Sequence, residues 1–257
     1  MDLVSARPQT PPRIHGAGNF EADWLRSPWL QALPVVGAGA WLDGVGRLVV
    51  VSPHPDDEVL GCGGLIHTAR SLGIAVHIVS VTDGEACYPQ SSRWTPARLR
   101  ATRRQELVDA LACLDVPAAC ISTLAVADGR VADAEVALAA ALRDRLRPGD
   151  RVLTTWSGDG HPDHEATARA VEQAAAGSGA ASAQFPVWAW HWLSPMPAVS
   201  PLPGALRCTL PEAARSAKRR ALACFGSQLD SGGAEVPPIL PKVVLDRFER
   251  SYEVVLS

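Results

Sequence analysis

Residues 47–58 of the chain read Arg-Leu-Val-Val-Val-Ser-Pro-His-Pro-Asp-Asp-Glu. The first half is a short, continuous apolar run, which is typical of a strand buried on both faces of a parallel sheet. A turn containing Pro and Asp follows, and a helical stretch then extends to about Leu72. Ligands of open α/β sheets bind outside the carboxyl ends of the strands. The polar turn therefore marks a predicted site.

The rest of the chain repeats this alternation of strands and helices, which predicts βαβ units. We therefore expect one α/β domain with a Rossmann-like, mostly parallel sheet and helices on both faces. The Gly/Ala/Ser-rich stretch 176–183 is predicted to be a surface loop. The other predicted strands are residues 75–82, 119–126, 151–156, 185–192 and 252–256. The other predicted helices are residues 96–114, 133–146 and 211–225, and a helix that follows His164 and ends at about residue 175.

The first 45 residues differ from this pattern. They begin with a Pro- and Gly-rich stretch, and residues 22–32 have tryptophans and leucines at roughly helical spacing. We expect residues 1–45 to form an N-terminal arm that packs on a main domain of residues 46–257.

Composition excludes several classes of protein. The chain has 257 residues, 47% apolar and 20% charged, and a net charge of −3. These values are those of a globular domain, and the lack of a basic excess argues against nucleic acid as a partner. The six cysteines include no Cys-x-x-Cys pair, so we expect them to be reduced. With no signal peptide and no membrane span predicted, we expect a cytoplasmic protein, while its oligomeric state stays open.

Two clusters of histidine and aspartate each follow a predicted strand and precede a predicted helix. The first is His54-Pro55-Asp56-Asp57-Glu58, and the second is His161-Pro162-Asp163-His164. Two imidazoles and one carboxylate form a typical catalytic zinc set that leaves a position open. His54, Asp57 and His164 are therefore the expected metal ligands. The same set also suits Fe(II).

These clusters resemble the signature of the PIG-L/LmbE-like zinc-dependent deacetylases. Residues 53–58, followed by Gly61, Gly63 and Gly64, match its first motif, and residues 161–164 match its second. Weaker matches add an Arg-x-x-Glu helix at Arg103 and Glu106, and a segment from Lys218 to Ser227 and Gln228. The resemblance covers roughly residues 47–230 and implies an LmbE-like fold. The glycines do not have the spacing of a dinucleotide-binding fingerprint.

The resemblance implies that an N-acyl group, usually N-acetyl, is hydrolysed from an amino sugar. It assigns zinc to His54, Asp57 and His164, the general base to Asp56, and polarisation of the acyl oxygen to His161. The chemistry agrees, because a carboxylate beside zinc-activated water can pass its proton to the leaving amine. The oxyanion then needs a donor such as protonated His161. Glu58 and Asp163 are expected to accept the free N–H of a liganding histidine.

Substrate contacts are expected from loops at the same edge of the sheet. An ordinary turn or a solvated helix face explains many of these residues equally well. Trp188, Trp190 and Trp192 would share one face of the predicted strand, with His191 on the opposite face. The other candidates are Asp83, Glu85, Arg103 or Arg104, Asp128-Gly129 and Asp159.

The expected partner is a small-molecule N-acyl amino sugar of the N-acetylglucosamine type. A zinc amidase that acts on a non-sugar amide or a longer N-acyl chain is the main alternative. A metallophosphoesterase would favour two metal ions, and the ligands found suffice for one. A silent binding module is disfavoured because all four residues of the expected metal and base set are present. The sequence does not identify the aglycone.

Overall fold

The structure, a computed structural model, describes residues 14, 16–89, 91–197, 199–231 and 236–257. The described residues form one eight-stranded sheet in the order β1-β7-β8-β6-β5-β2-β3-β4. The strands are parallel except β8, which runs antiparallel to both of its neighbours. Their bounds are β1 Val35–Gly37, β2 Arg47–Ser52, β3 Ala75–Thr82, β4 Ile121–Val126, β5 Asp150–Thr155, β6 Ala181–Phe185, β7 Ala205–Thr209 and β8 Tyr252–Leu256.

Helices cover both faces of this sheet, which confirms the predicted α/β class. None of those described is long and apolar enough to span a bilayer. The α-helices are α1 Glu21–Trp24, α2 Pro28–Ala32, α3 Ala38–Trp41, α4 Asp57–Ser71, α5 Pro96–Ala112, α6 Glu135–Arg143, α7 Pro162–Ser178, α8 Ala189–Trp192, α9 Glu212–Leu222, α10 Gly226–Leu229 and α11 Lys242–Leu245, and the 3₁₀ helices are Ala118–Cys120, Val131–Ala134 and Asp246–Phe248.

Alternation along β2 divides the core into two layers. Leu48 and Val50 pack in the layer that contains α4, α5, α9 and the N-terminal helices. Val49 and Val51 pack in the layer that contains α6 and α7. Because every residue of the strand after Arg47 is buried, the continuous apolar run in the sequence is explained.

The prediction for residues 176–192 was wrong in two places. The stretch expected to be a loop ends in β6, and the expected strand 185–192 is a turn followed by α8. The backbone N–H groups of residues 187, 188 and 189 all donate to the buried carboxylate of Asp159. Their N–H groups are therefore not available to a neighbouring strand. The sequence also did not predict β1 or β7.

Glycine allows α4 to lie close to the sheet. A Cβ atom on Gly61 would lie 1.9 Å from Cδ2 of Phe185 in β6, so this position has no room for a side chain. Close approach of α4 to the sheet therefore requires glycine at position 61. The helix is also broken at Cys62, whose φ of −144° is not helical. All six cysteines of the chain are free.

The described part of the predicted arm is integrated into the domain. Trp24 is fully buried and donates through Nε1 to the carbonyl of Trp190, and β1 pairs with β7 at the sheet edge. Residues 1–13 and 15 lie outside the described residues. The division of the chain at residue 45 stays a prediction.

Candidate metal centre

The first cluster forms the turn between β2 and α4. His54 follows the strand, and Asp57 is the first residue of the helix. The Asp57 carboxylate accepts from the backbone N–H of His54 at 3.1 Å. Between them, Asp56 has a φ of +140°, a conformation that residues other than glycine rarely adopt. Such strain, which costs on the order of 1–3 kcal/mol, is typical of functional sites.

The second cluster begins α7, at the carboxyl end of the adjacent strand β5. His161 precedes the helix, and its Nδ1 accepts from the backbone N–H of Asp163 at 3.3 Å. His164 lies in the first turn and is fully buried. Since β2 and β5 are parallel neighbours, the two clusters meet although about 100 residues separate them in the chain.

Three atoms from these clusters converge on one point. Asp57 Oδ2 lies 3.2 Å from both His54 Nδ1 and His164 Nε2. The two ring nitrogens lie 3.3 Å apart. Atoms about 2.0–2.2 Å from a zinc ion in tetrahedral geometry would have nearly this spacing. The described residues therefore fit a divalent metal at this position.

In His54 and His164, the second ring nitrogen, which is not one of the three convergent atoms, faces a carboxylate. Asp159 Oδ2 lies 2.8 Å from His164 Nδ1. Asp128 Oδ1 and Asp163 Oδ2 lie 3.1 Å and 3.3 Å from His54 Nε2. Such contacts fix the tautomer and orientation of metal-binding imidazoles. From the sequence, Asp128 and Asp159 were expected as substrate contacts or as ordinary turn residues. Their positions directly after predicted strands were the available signal.

The electrostatics of the site favour a cation. Burial lowers the pKa of His164, but the carboxylates of Asp57 and Asp159 outweigh it and raise this pKa to about 9. Burial raises the pKa of Asp57, but His164 and His54 outweigh it and hold this pKa far below its usual range. The carboxylates thus attract positive charge, which a metal ion would supply.

The Asp56 carboxylate contacts Arg103 and is not one of the three convergent groups. Its Oδ2 accepts from Arg103 Nη2 at 3.0 Å, and Arg103 is itself buried. Burial raises the pKa of Asp56 to about 7, although the positive charge of Arg103 opposes the rise. A carboxyl group with a pKa near neutrality is suited to accept and return a proton.

His161 is next to the cluster, with its ring 4.9 Å from that of His54 between centroids. Burial, and then the positive charges of His164 and His54, lower the pKa of His161 to about 3. This pKa favours a neutral His161, whereas a protonated form was expected from the sequence. Because Nδ1 accepts from Asp163, the neutral ring carries its hydrogen on Nε2 and can still donate.

Among the described residues, no histidine forms a hydrogen bond with Glu58, although such a contact was expected from the sequence. Its Oε2 lies 2.7 Å from Ser52 Oγ and accepts from the backbone N–H of Asp56. Burial raises the pKa of Glu58 to about 8. The helix start directs this side chain back toward β2. Asp163, in contrast, contacts His54 as described above.

The predicted substrate residues have different surroundings. Asp83 forms ion pairs with Arg104 and Arg100, and Arg100 also contacts Glu85. Asp83 and Glu85 are absent from the described residues that line the central cavity. His191 lies on α8 instead of a strand, and it does line that cavity.

The cavity has a volume of about 860 Å³. His54, Asp57, Asp56 and His161 line it together with Arg103. The metal centre is therefore open to a molecule in the size range of typical ligand pockets.

Two weaker motifs are structural supports near this site. Glu106 accepts from the backbone N–H and from the Oγ hydroxyl of Ser227 at 2.6 Å and 2.7 Å, which joins α5 to α10. Lys218 donates to Glu253 and to the carbonyl of Leu60, beside the break in α4.

Residues 49–175 match the model of the PIG-L family, described as GlcNAc-PI de-N-acetylase. The chain is also 34% identical over 185 residues to a 1D-myo-inositol 2-acetamido-2-deoxy-alpha-D-glucopyranoside deacetylase of Tsukamurella paurometabola. That similarity covers 57% of this chain and 61% of the relative. The chain thus spans about three fifths of the length of this curated relative.

Solved structures support the fold. A zinc-inhibited form of teicoplanin deacetylase is similar with a TM-score of 0.60 at 22% identity, covering 81% of this chain and 96% of that one. An N,N'-diacetylchitobiose deacetylase from Pyrococcus horikoshii is similar with a TM-score of 0.58 at 20% identity, covering 74% and 73%. At this level of identity the likeness shows the LmbE-like architecture alone.

Proposed function

The chain belongs to the PIG-L/LmbE-like family, and from that premise we propose that it is a metal-dependent N-deacetylase of amino-sugar conjugates. The observation that carries the proposal is the convergence of His54, Asp57 and His164 within 3.3 Å. Asp56 and His161 line the same cavity. The family match at residues 49–175 includes all five residues.

Zinc is the proposed metal, with Fe(II) as the alternative that the same ligand set allows. When bound, the metal supplies a Lewis acid that polarises the acyl group and lowers the pKa of water. Asp56 then removes a proton from the attacking water and returns it to the leaving amine nitrogen. Arg103 holds the Asp56 carboxylate in place at 3.0 Å.

His161 supplies the remaining polar contact. In its neutral form, Nε2–H donates to the oxygen of the scissile acyl group as that oxygen gains negative charge. Loss of one such donor typically lowers turnover by about 10²–10³-fold. Water adds to the amide carbon, the C–N bond breaks, and the products are a carboxylate and a free amine.

The first test measures primary-amine release from a panel of N-acetylglucosamine conjugates, including the inositol glycoside. Metal-loaded protein should be active, and chelation should abolish the activity. Asp56→Asn should keep its metal and lose about 10²–10⁴-fold in turnover. Re-addition of zinc or iron to the chelated protein identifies the metal that restores activity.

Asp43→Asn is the matched control, because Asp43 is exposed and is not among the described residues that line the cavity. It should match the wild type in metal content and turnover. Release that persists without metal, or in Asp56→Asn, would contradict the mechanism. Metal binding without release from any conjugate would leave the alternative amidase, acting on non-sugar amides or longer acyl chains.

A further inference from the structure

Beyond the metal centre, the described wall of the cavity is mainly apolar. It includes Trp188 and, apart from Lys242, a segment near the C-terminus, residues 236–244. Ile239 and Val243 of this segment are only partly buried, and they line the same cavity as the metal ligands. Apolar surface in contact with water is costly, and a bound apolar group would remove it from water.

The backbone of this segment also offers few hydrogen-bond donors. Pro237, Pro238 and Pro241 have no N–H group. The N–H of Ile239 donates to the Tyr88 hydroxyl at 3.3 Å, and that of Leu240 donates to the Gln228 carbonyl at 2.9 Å. A polyhydroxylated group placed here would lose its hydrogen bonds to water with little compensation.

Of the polar side chains that line the cavity, Arg103 and Asp128 are joined to the metal centre, whereas His191 contacts Arg247 and Gln228 contacts Ser227. Arg103 contacts Asp56, and Asp128 contacts His54 and accepts from the N–H of Ala86 at 2.8 Å. These contacts place polar side chains beside the position of the amide that reacts and of the sugar that carries it. The apolar wall serves a different part of the substrate.

The two kinds of lining also come from different parts of the chain. The metal ligands, Asp56 and His161 lie within the family match at residues 49–175. Trp188 and residues 236–244 lie beyond it. The reaction and the choice of substrate are therefore supplied by separate segments, and the choice does not follow from the family.

We propose that the substrate carries a large apolar group, an alkyl chain or an aromatic ring system, which binds against Trp188, Ile239 and Val243. This inference rests on the proposed deacetylase function and names its substrate class. The apolar group is either on the amine side of the scissile bond or is the acyl chain itself, and the test separates these two sources.

The test compares kcat/KM of the metal-loaded protein on four substrates. These are the methyl and octyl glycosides of N-acetylglucosamine, the methyl glycoside of N-octanoylglucosamine, and the inositol glycoside of N-acetylglucosamine. At least one octyl-bearing substrate should exceed the methyl glycoside of N-acetylglucosamine by about 100-fold, which corresponds to burial of roughly three to four methylene groups.

The outcomes show whether the apolar group lies on the amine side or is the acyl chain. They also separate a failure of this inference from a failure of the deacetylase function. Preference for the octyl glycoside places the apolar group on the amine side, and preference for the N-octanoyl substrate makes it the acyl chain. A preference below about tenfold for both, roughly two methylene groups, overturns the inference and leaves the deacetylase standing. The same holds if the inositol glycoside is the best substrate.

Titration calorimetry decides the case in which no substrate is turned over. The Asp56→Asn protein is titrated with the octyl and methyl substrates, and the ratio of their Kd values replaces the ratio of kcat/KM. Tighter octyl binding without turnover by the wild type refutes the deacetylase and keeps the apolar site. Equal binding refutes the apolar site as well.

Substitutions in the apolar wall of the cavity test whether this wall causes the preference for octyl-bearing substrates. Val243→Ser should reduce the octyl preference at least about threefold, an effect of roughly one methylene group. Val136→Ser is the control, because Val136 is 82% exposed on α6. Thermal unfolding of both variants verifies folding. A preference that Val243→Ser and a second variant, Ile239→Ser, both leave intact contradicts the assignment of the wall.

Discussion

At the scale of single residues, Asp159 is the side chain whose importance the sequence least reveals. Its buried carboxylate faces His164 Nδ1 at 2.8 Å and accepts from three successive backbone N–H groups at 2.9 Å each. It therefore orients a proposed metal ligand and also shapes the turn that places Trp188 in the cavity wall.

We expect Asp159→Asn to weaken metal binding by about 10–100-fold, the usual effect of losing an outer carboxylate. The amide is similar in shape but has one oxygen fewer and no charge, so it cannot satisfy all four donors. Zinc affinity measured by competition with a chelator checks this. Asp43→Asn should bind zinc as the wild type does, and equal affinities in all three proteins would show that Asp159 is only a turn residue.

The sequence predicted some of the site residues and not others for a physical reason. His54 and Asp57 are recognisable because they lie three residues apart on one turn. Asp128 and Asp159 act through contacts that exist only after folding, since Asp128 meets a histidine 74 residues away. The protonation state of His161 also depends on burial, which cannot be seen from sequence spacing.

At the scale of secondary-structure elements, the break in α4 is the most informative feature. Beyond the break, the N–H groups of Gly64 and Leu65 donate to the Glu253 carboxylate at 2.8 Å and 2.9 Å. Before it, the carbonyl of Leu60 accepts from Lys218 Nζ at 2.8 Å. A buried ion pair, 2.7 Å between its charged atoms, thus satisfies both sides of the break.

We expect Lys218→Met to lower the free energy of unfolding by about 3–5 kcal/mol, because it leaves a buried carboxylate without its cation. Urea unfolding measures this. Lys242→Met is the control, since the Lys242 side chain is 85% exposed, and it should change stability by less than about 1 kcal/mol. The double variant Lys218→Met with Glu253→Gln should recover part of the loss, and failure to do so would refute the pairing as the cause.

The elements themselves were predictable where they are long and regular. The strands β2, β3 and β5 are runs of six to eight mostly buried residues, and the helices α5 and α7 begin at proline. The strand β1 has only three residues. The conformation of residues 185–192 depends on the carboxylate of Asp159, which is distant in the sequence. Local pattern cannot determine elements whose stability comes from such tertiary contacts.

At the scale of the whole molecule, the class and the position of the site followed from the order of strands and polar turns. The way in which distant segments close the cavity did not follow from this order. Its wall includes Ala17 near the N-terminus and residues 236–244 near the C-terminus, which meet only in the folded chain. Arg247 joins these two ends, donating to the carbonyls of Ala17 and Asn19 while contacting His191.

Arg247 is therefore expected to hold the N-terminal wall in place. It is 2% exposed, and burial together with the charge of Arg250 lowers its pKa to about 10, so it stays charged at neutral pH. Arg247→Met removes charge-assisted hydrogen bonds worth roughly 1.5–3 kcal/mol each. We expect amide exchange around Asn19, whose N–H donates to the His191 carbonyl, to accelerate by about 10–100-fold.

The zinc affinity of Arg247→Met distinguishes a local loosening of the N-terminal wall from a general loss of structure. In the described structure, Arg247 contacts none of the three proposed metal ligands, so Arg247→Met should bind zinc within about threefold of the wild type, a difference below 1 kcal/mol. Arg26→Met removes an equivalent charge from an exposed ion pair and should leave exchange at Asn19 unchanged. Unchanged exchange in Arg247→Met would mean that the Asn19 side chain, which donates to the Leu193 carbonyl at 2.6 Å, is sufficient to hold this segment.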